Sequence, residues 1–391
     1  MIALFWVCLF IIFYAFVGYG IFLFVLLLLK RLVYKPESTL YSFTELPSVT
    51  LIIAAYNEES IIREKIENTL LLSYPLNKLN YIVVTDGSTD NSAVIVAEYP
   101  QIILMHREGR TGKINAVHRA MQQVNSEIVI FTDANTFLNQ DALINISRHY
   151  KNQLVGAVAG EKRVRIDQKS DATAGEGIYW KYESKLKKWD SDLNSVVGAA
   201  GELFSIRTSL YEPVEKDTLL DDFIISMRIA AKGFKIVYEP EAFAMETSSE
   251  NIKEELKRKV RIAAGGIQSI LRLKELLNVF RYPMLSFQYI SHRVLRWTVI
   301  PFLIIFVFAL NILIIIRGSS VLYLIFFSGQ IVFYMAAALG WLLEKRQLRN
   351  KFLFIPYYFV LMNYAVLAGI KRFYTGAQQV TWDKAKRKAS N

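Results

Sequence analysis

The sequence predicts an α/β domain with a mainly parallel sheet, flanked by apolar helices of a kind that belong in a membrane. Three observations carry this expectation. Between Pro47 and about Thr247, apolar strand-like runs alternate with helical stretches, the pattern of right-handed crossovers in a parallel sheet. Polar residues gather at the carboxyl ends of those runs, the edge where open α/β sheets bind ligands. Finally, 53% hydrophobic against 21% charged residues in a chain of 391 is too apolar for an ordinary soluble enzyme.

Taking the chain in order, residues 1–29 carry no charged side chain and are closed by Lys30, Arg31 and Lys35. That run exceeds the roughly 20 residues a membrane span needs. It lacks the basic start and short core of a cleaved signal. The flanking bases put residue 30 onward on the cytoplasmic side. Cys8, the single cysteine, lies inside this run, so no disulfide framework or cysteine metal site is expected. The net charge of +11 does not describe a nucleic-acid reader, because the bases cluster beside hydrophobic segments, where they suit anionic lipid headgroups and topology.

The globular part begins with Val49–Ser60, a continuous apolar strand ending in Tyr56, Asn57 and Glu58 and followed by a helical stretch to Leu72. The second strand, from Tyr81, ends in the turn Asp86-Gly87-Ser88-Thr89-Asp90. Such a turn holds a carboxylate and free backbone N–H groups at the sheet edge, and it is equally an ordinary turn in which Asp90 or Ser88 caps a helix over 91–98. Gln101–Arg107 and Glu127–Asn135 supply the third and fourth strands, with Arg110 and Lys113 after the third and Asp133 and Asn135 closing the fourth. Trp180, Tyr182 and Trp189 have helical spacing and are expected in the core. Asp221 and Asp222 open an apolar helix that ends at Gly233, acids in a first turn being favourable to the helix dipole.

The stretches AAYNEE, TDGSTD, GRTGKINA, FTDAN, GELFSIR and LDDFIISMRIAAKGFKIVYEP, in this order and spacing, resemble the membrane-bound family-two glycosyltransferases with a GT-A catalytic fold. That family includes cellulose, hyaluronan and poly-N-acetylglucosamine synthases and ceramide glucosyltransferases. The resemblance covers about Pro47 to Arg272. It implies inverting transfer from a nucleotide-diphosphate sugar, a UDP-sugar by preference, to a glycan or lipid acceptor at the cytoplasmic face of the inner membrane, in surface polysaccharide synthesis. The alternatives are single-sugar transfer to a lipid, or a non-catalytic scaffold or transport component. The nearly apolar spans count against transport, and the set Asp86, Asp133, Asp222 and Arg261 counts against a silent scaffold. Membrane lipids, and export or assembly subunits, are further expected partners.

Such chemistry needs a nucleoside site, cationic charge at the departing diphosphate and a base for the acceptor hydroxyl. Asp86 with Tyr56, Asn57 and Glu58 suits the nucleoside. Asp133 suits Mg²⁺ or Mn²⁺, with Asn135 in place of the family's usual second Asp offering only a carbonyl oxygen. Lys113 can reach the diphosphate. By resemblance, Asp222 is the general base, the family most often having Glu-Asp where this chain has Asp221-Asp222; Gly201 and Glu202 neighbour the acceptor.

From Asn251 the chain predicts a basic amphipathic helix at the membrane surface. Arg258, Arg261, Gly265, Gln268 and Arg272 form one face, and Leu256, Val260, Ala263, Ile267 and Ile270 the other. Its RKVRIAAGG occupies the place of the Gln-x-x-Arg-Trp motif of processive relatives. Arg258 stands for the Gln and Arg261 keeps the arginine that can pair with the diphosphate, both being nucleotide-sugar ligands by this resemblance, and Ile262 replaces the tryptophan that would contact the acceptor. Thr298–Ile316 and Ser320–Leu343 are long enough to span. Phe352–Ile370, with Pro356, Asn363 and a basic sequel, is expected to be interfacial or re-entrant, which keeps the tail inside. In that tail Trp382 and Arg387 resemble the segment with which some hyaluronan-synthase-like relatives close over the nucleotide sugar. The expected units are therefore 1–34, a membrane helix; 46–247, the catalytic domain; 248–297, interfacial helices; 298–371, a membrane region; and 372–391, a basic tail.

Overall fold

The computed structural model describes residues 1–33, 46–165, 173–247, 252–318, 320–346 and 350–376; Trp382 and Arg387 lie outside the described residues. The chain opens with helix α1, Ile2–Val33, which contains a π-helical turn at Tyr14–Gly18. The α/β domain follows as β1 (Val49–Ala55), α2 (Ile62–Leu70), β2 (Leu79–Asp86), α3 (Ser92–Ala97), β3 (Ile102–Arg107), α4 (Lys113–Met121), β4 (Ile128–Asp133), β5 (Thr136–Leu138), α5 (Ala142–Ser147), β6 (Val155–Arg165), α6 (Thr173–Leu193), β7 (Leu203–Arg207), α7 (Asp221–Ala231) and β8 (Lys235–Thr247).

One sheet of eight strands has the order β3-β2-β1-β4-β7-β6-β8-β5. The four strands expected from sequence form its parallel half, paired so that Ala54 lies opposite Asp133, Ala55 opposite Thr85, and Asp86 opposite Arg107. In a strand successive side chains point to opposite faces. Ile52, Ile82, Val84, Val129 and Phe131 therefore pack against α4 and α7, whereas Leu51, Ile53, Val83, Ile128 and Ile130 pack against α2 and α5. Burial on both faces explains why these strands read as unbroken apolar runs.

The sheet is mainly parallel, as expected, and among the described residues two strands run against the rest: β5, antiparallel to β8, and β7. Strand β7 is antiparallel to both β4 and β6, so its amino end meets the carboxyl end of β4, with Leu203 opposite Thr132. This reversal brings Gly201 and Glu202 to the same edge as Asp133.

Helix α8 (Ile252–Arg272) differs from the two-faced helix expected. From Ala263 to Ile270 every residue is buried, Gly265 and Gln268 of the polar stripe included. Small residues make this possible: a Cβ on Gly266 would lie 2.6 Å from the Trp297 ring, and one on Gly369 would lie 2.5 Å from the Ala263 Cβ. Gln268 spends its side chain on the chain before α7, accepting from Leu219 N at 2.9 Å and donating to the Asp217 carbonyl at 2.9 Å.

Among the described residues four helices follow: α9 (Pro283–Thr298), α10 (Ile300–Ile316), α11 (Val321–Lys345) and α12 (Lys351–Tyr374). Among the described residues, three helices are long and apolar enough to cross a membrane: Ile2–Val33, Val321–Lys345 and Phe352–Tyr374. A fourth crossing would come from α9 and α10 together, which meet at a bend of 60°. Phe352–Ile370, expected to be interfacial or re-entrant, lies within one helix that runs unbroken through Pro356. Pro356, the sixth residue of that helix, forgoes one intrahelical N–H bond, and the helix continues past it. The Asn350 side chain caps the start, accepting from Phe352 N and Leu353 N.

The amino-terminal helix is fastened to the α/β domain by a buried polar cluster. The Tyr19 hydroxyl donates to Asp190, Gln288 Nε2 donates to the Asp190 carbonyl at 2.8 Å, and His292 Nδ1 lies 2.5 Å from Asp190 Oδ2. His292 Nε2 is 3.1 Å from Glu183, which also meets Arg293 at 2.9 Å and Arg296 at 3.2 Å. Asp190 and His292 are fully buried. Removing one member of such a set leaves the others uncompensated. Asp190→Ala should therefore cost about 3 to 5 kcal/mol, read as a lowered unfolding midpoint of the solubilised protein; an unchanged midpoint would contradict the cluster's structural weight.

Candidate active site

Three turns meet at the carboxyl edge of the parallel strands. The turn after β1 is locked to the turn after β2: Asn57 Oδ1 accepts from Thr89 N at 2.8 Å, Asn57 N donates to Ser88 Oγ at 3.1 Å, and Glu58 N donates to Ser92 Oγ at 2.8 Å. Asn57 takes the left-handed conformation with φ 52°, which asparagine tolerates better than most residues. Asp90 accepts from Ser92 N at 3.0 Å and from Glu59 N at 3.0 Å, closing the turn just ahead of α3, whose N-cap position is Asn91 without a side-chain cap bond. Tyr56 stacks beneath the Arg110 guanidinium, 3.9 Å from its ring centre.

Asp86 is buried, and its carboxylate accepts from Thr111 N at 3.0 Å, Thr111 Oγ1 at 2.7 Å and Gly112 N at 2.6 Å. It thereby shapes the glycine-rich loop before α4 and aims the first residue of that helix, Lys113, across the edge. Lys113 Nζ lies 2.6 Å from Asp133 Oδ1, with the lysine side chain 21% and the aspartate 31% exposed. A Cβ on Gly201 would sit 3.2 Å from Asp222 Oδ2 and 3.3 Å from Lys113 Nζ. Asp133, Lys113, Gly201 and Asp222 thus converge, and Lys113, Thr132, Gly201 and Asp221 line one small space between the edge and α7.

The electrostatics separate these groups. Burial and the neighbouring Asp221 push the Asp222 carboxyl up to about 7, against the pull of Lys113. Burial alone would strip Lys113 of its proton, but Asp133, Asp221 and Asp222 outweigh it and hold the ammonium above its ordinary range. Burial pushes Arg261 down to about 10, opposed by Asp221, Asp133 and Asp222, so its guanidinium stays charged and faces the same carboxylates.

The other sequence-predicted residues lie to one side. Glu202 is bound by Lys162 at 2.6 Å, and Lys162 also pairs with Glu246. Arg258 donates to Glu255 at 3.0 and 3.1 Å and lies 3.9 Å from Glu246. These five charged groups form a second cluster that begins beside Gly201, at Glu202. Asn135 follows Asp133 at the turn into β5 and is partly buried.

Lys65 escaped the sequence reading. It is fully buried in α2 and donates to Thr132 Oγ1 at 3.1 Å and to the Thr136 carbonyl at 2.7 Å, bracketing the Asp133–Asn135 turn. Burial lowers it to about 7, partly opposed by Asp133. The signal was present in the spacing Ile62, Lys65, Ile66, Thr69, which puts the lysine on the core face of its helix.

A divalent ion is the group most often implied by such an edge. Asp133 with the Asn135 amide is a sparse donor set, and among the described residues no group of three or more His, Cys, Asp or Glu could hold a metal. It still fits Mg²⁺ or Mn²⁺ of the kind that takes one or two carboxylates and completes its shell with substrate phosphates and water.

Residues 50–214 match the protein family described as Glycosyl transferase family 2. The chain is similar to the poly-beta-1,6-N-acetyl-D-glucosamine synthase of Staphylococcus aureus (strain COL), 29% identical over 238 residues that cover 58% of this chain and 57% of that protein. It is also similar to the synthase of the same name from Staphylococcus epidermidis, 26% identical over 235 residues with the same coverage, 58% and 57%. The chain thus spans a little over half the length of these curated relatives. Among solved structures, the mannosyltransferase PcManGT from Pyrobaculum calidifontis, in complex with GDP-Man and Mn²⁺, superposes with a TM-score of 0.68 at 21% identity. The match covers 94% of this chain and 100% of that one, a likeness of fold.

Proposed function

We propose, starting from a chain whose residues 50–214 match glycosyl transferase family 2, that it moves a single sugar with inversion from a UDP-sugar to a glycan or lipid acceptor at the cytoplasmic membrane face. The observation that carries this reading is the meeting of Asp222, Lys113 and Asp133 around Gly201 at one edge of the sheet. Asp222, raised toward neutrality, accepts the proton of the acceptor hydroxyl as that oxygen bonds to the sugar's anomeric carbon and the bond to the diphosphate breaks. Lys113 and Arg261 face the charge that develops on the leaving diphosphate. A divalent ion held by Asp133 and Asn135 would add a Lewis acid for the same charge. Glycine at 201 leaves the acceptor room beside the base. The nucleoside falls to Tyr56, Asn57, Glu58 and Asp86, with Arg258 on the nucleotide-sugar side and Glu202 beside the acceptor. Trp382 and Arg387 of the tail would close over the donor.

Single transfer is favoured over chain extension by Ile262, half-buried where processive relatives carry the tryptophan that holds the acceptor sugar. Incubating membranes that contain the protein with a panel of radiolabelled UDP-sugars, then sizing the product, tests both parts. The expected product carries one added sugar. No incorporation from any UDP-sugar would overturn the donor, and a ladder of lengths would overturn single transfer.

A further inference from the structure

Helix α12 packs along α8 and comes close to it at Gly369, where a Cβ would lie 2.8 Å from the Val260 carbonyl and 2.9 Å from Ala264 N. Arg261 stands between those two contacts on α8. Arg372 follows Gly369 by three residues and so lies on the same face of α12, one turn nearer its end. The two guanidiniums are close enough that Arg372 makes Arg261 easier to deprotonate. Arg372 is half-buried, and among the described residues it has no carboxylate at ion-pair distance. Asp221, Asp133 and Asp222 already face Arg261, so among the described residues it is the half-buried Arg372 whose charge an anion from outside the protein would share.

From this juxtaposition we infer that Arg372 and Arg261 form a two-arginine site for a phosphate-bearing anion, at the point where the end of α12 meets the mouth of the candidate active site. The site rests on the transferase reading, and it adds the last turn of a helix outside the α/β domain to the substrate-binding surface. Two reactants carry the required chemistry: the diphosphate of the donor and the phosphate of a lipid-borne acceptor. Guanidinium groups bind either through paired charge-assisted hydrogen bonds.

The test uses the full chain in phosphatidylcholine nanodiscs, titrated separately with UDP and with a long-chain alkyl monophosphate carried in the disc. Arg372→Gln is expected to weaken one of the two by about tenfold or more, the loss of one charge-assisted contact, while Arg372→Lys keeps most of the affinity. A loss confined to UDP assigns the site to the donor, and a loss confined to the alkyl phosphate assigns it to a lipid acceptor. Lys371→Gln, the exposed neighbour in the same helical turn, serves as the control for general attraction to anions. Equal losses in Lys371→Gln and Arg372→Gln, or no loss in either titration, would overturn the inference. Wild-type protein that binds no UDP would count against the transferase reading and leave the alkyl phosphate titration to decide on the arginines. Unchanged elution of Arg372→Gln on size exclusion separates lost binding from lost folding.

Discussion

Asp222→Asn is expected to reduce sugar transfer by a factor of about 10² to 10⁴, the usual loss on removing a general base, while UDP affinity stays within about twofold. The base acts on the acceptor hydroxyl and makes no claim on the nucleotide. Asparagine preserves the shape beside Gly201 and can still accept from Phe223 N, as Asp222 Oδ1 does at 2.8 Å, so the first turn of α7 is left intact. The pH dependence gives a second readout. With Asp222 raised to about 7, only the deprotonated fraction can take the proton. In wild type kcat/KM should then rise about tenfold per pH unit below that value and flatten above it. That acidic limb should vanish from the residual activity of Asp222→Asn. Wild-type turnover in the variant, or an identical acidic limb, would remove Asp222 from the role.

Asp133→Ala is expected to abolish the effect of Mn²⁺ on UDP binding. In wild type the ion should strengthen binding by about a hundredfold, a few kcal/mol of charge neutralisation at the phosphates. The variant should show one affinity with or without Mn²⁺. Because Lys113 loses its partner at 2.6 Å in the same substitution, metal-free UDP binding should hold or improve slightly, the ammonium being released toward the phosphates. A metal dependence that survives in Asp133→Ala would mean that another group holds the ion.

The parallel half of the sheet was legible because β1, β2 and β4 are buried on both faces and so spell unbroken apolar runs with polar ends. Strands β5 to β8 were not, since their directions are set by which neighbour they pair with. Only the reversed β7 shows how Gly201 reaches Asp222. The carboxylates at the strand ends could be named from the sequence. That Asp86 would spend its oxygens on Thr111 and Gly112, or that Lys113 would turn to Asp133, depends on loop closure, which residue spacing does not encode. Helix α8 read as two-faced because its periodicity is real. Its small residues then admit α12 and Trp297 against both faces, contacts made by residues far along the chain. Asp190 and His292 are separated by about a hundred positions, and neither carries a local sign of the other.

Helix α1 at 1.5 Å per residue is about 48 Å long, and its second half is tied to α6. The Phe16 carbonyl accepts from the Tyr182 hydroxyl at 2.7 Å, and Lys30 Nζ donates to the Asp192 and Leu193 carbonyls at 2.5 and 2.8 Å. These contacts hold the α/β domain in one orientation along its amino-terminal helix. On the proposed function, that would set the candidate site at one height above the bilayer, and an acceptor held in the lipid would reach it by sideways drift in the plane. Encounter would then be a search in two dimensions, governed by surface density of the acceptor and by the viscosity of the leaflet that carries it.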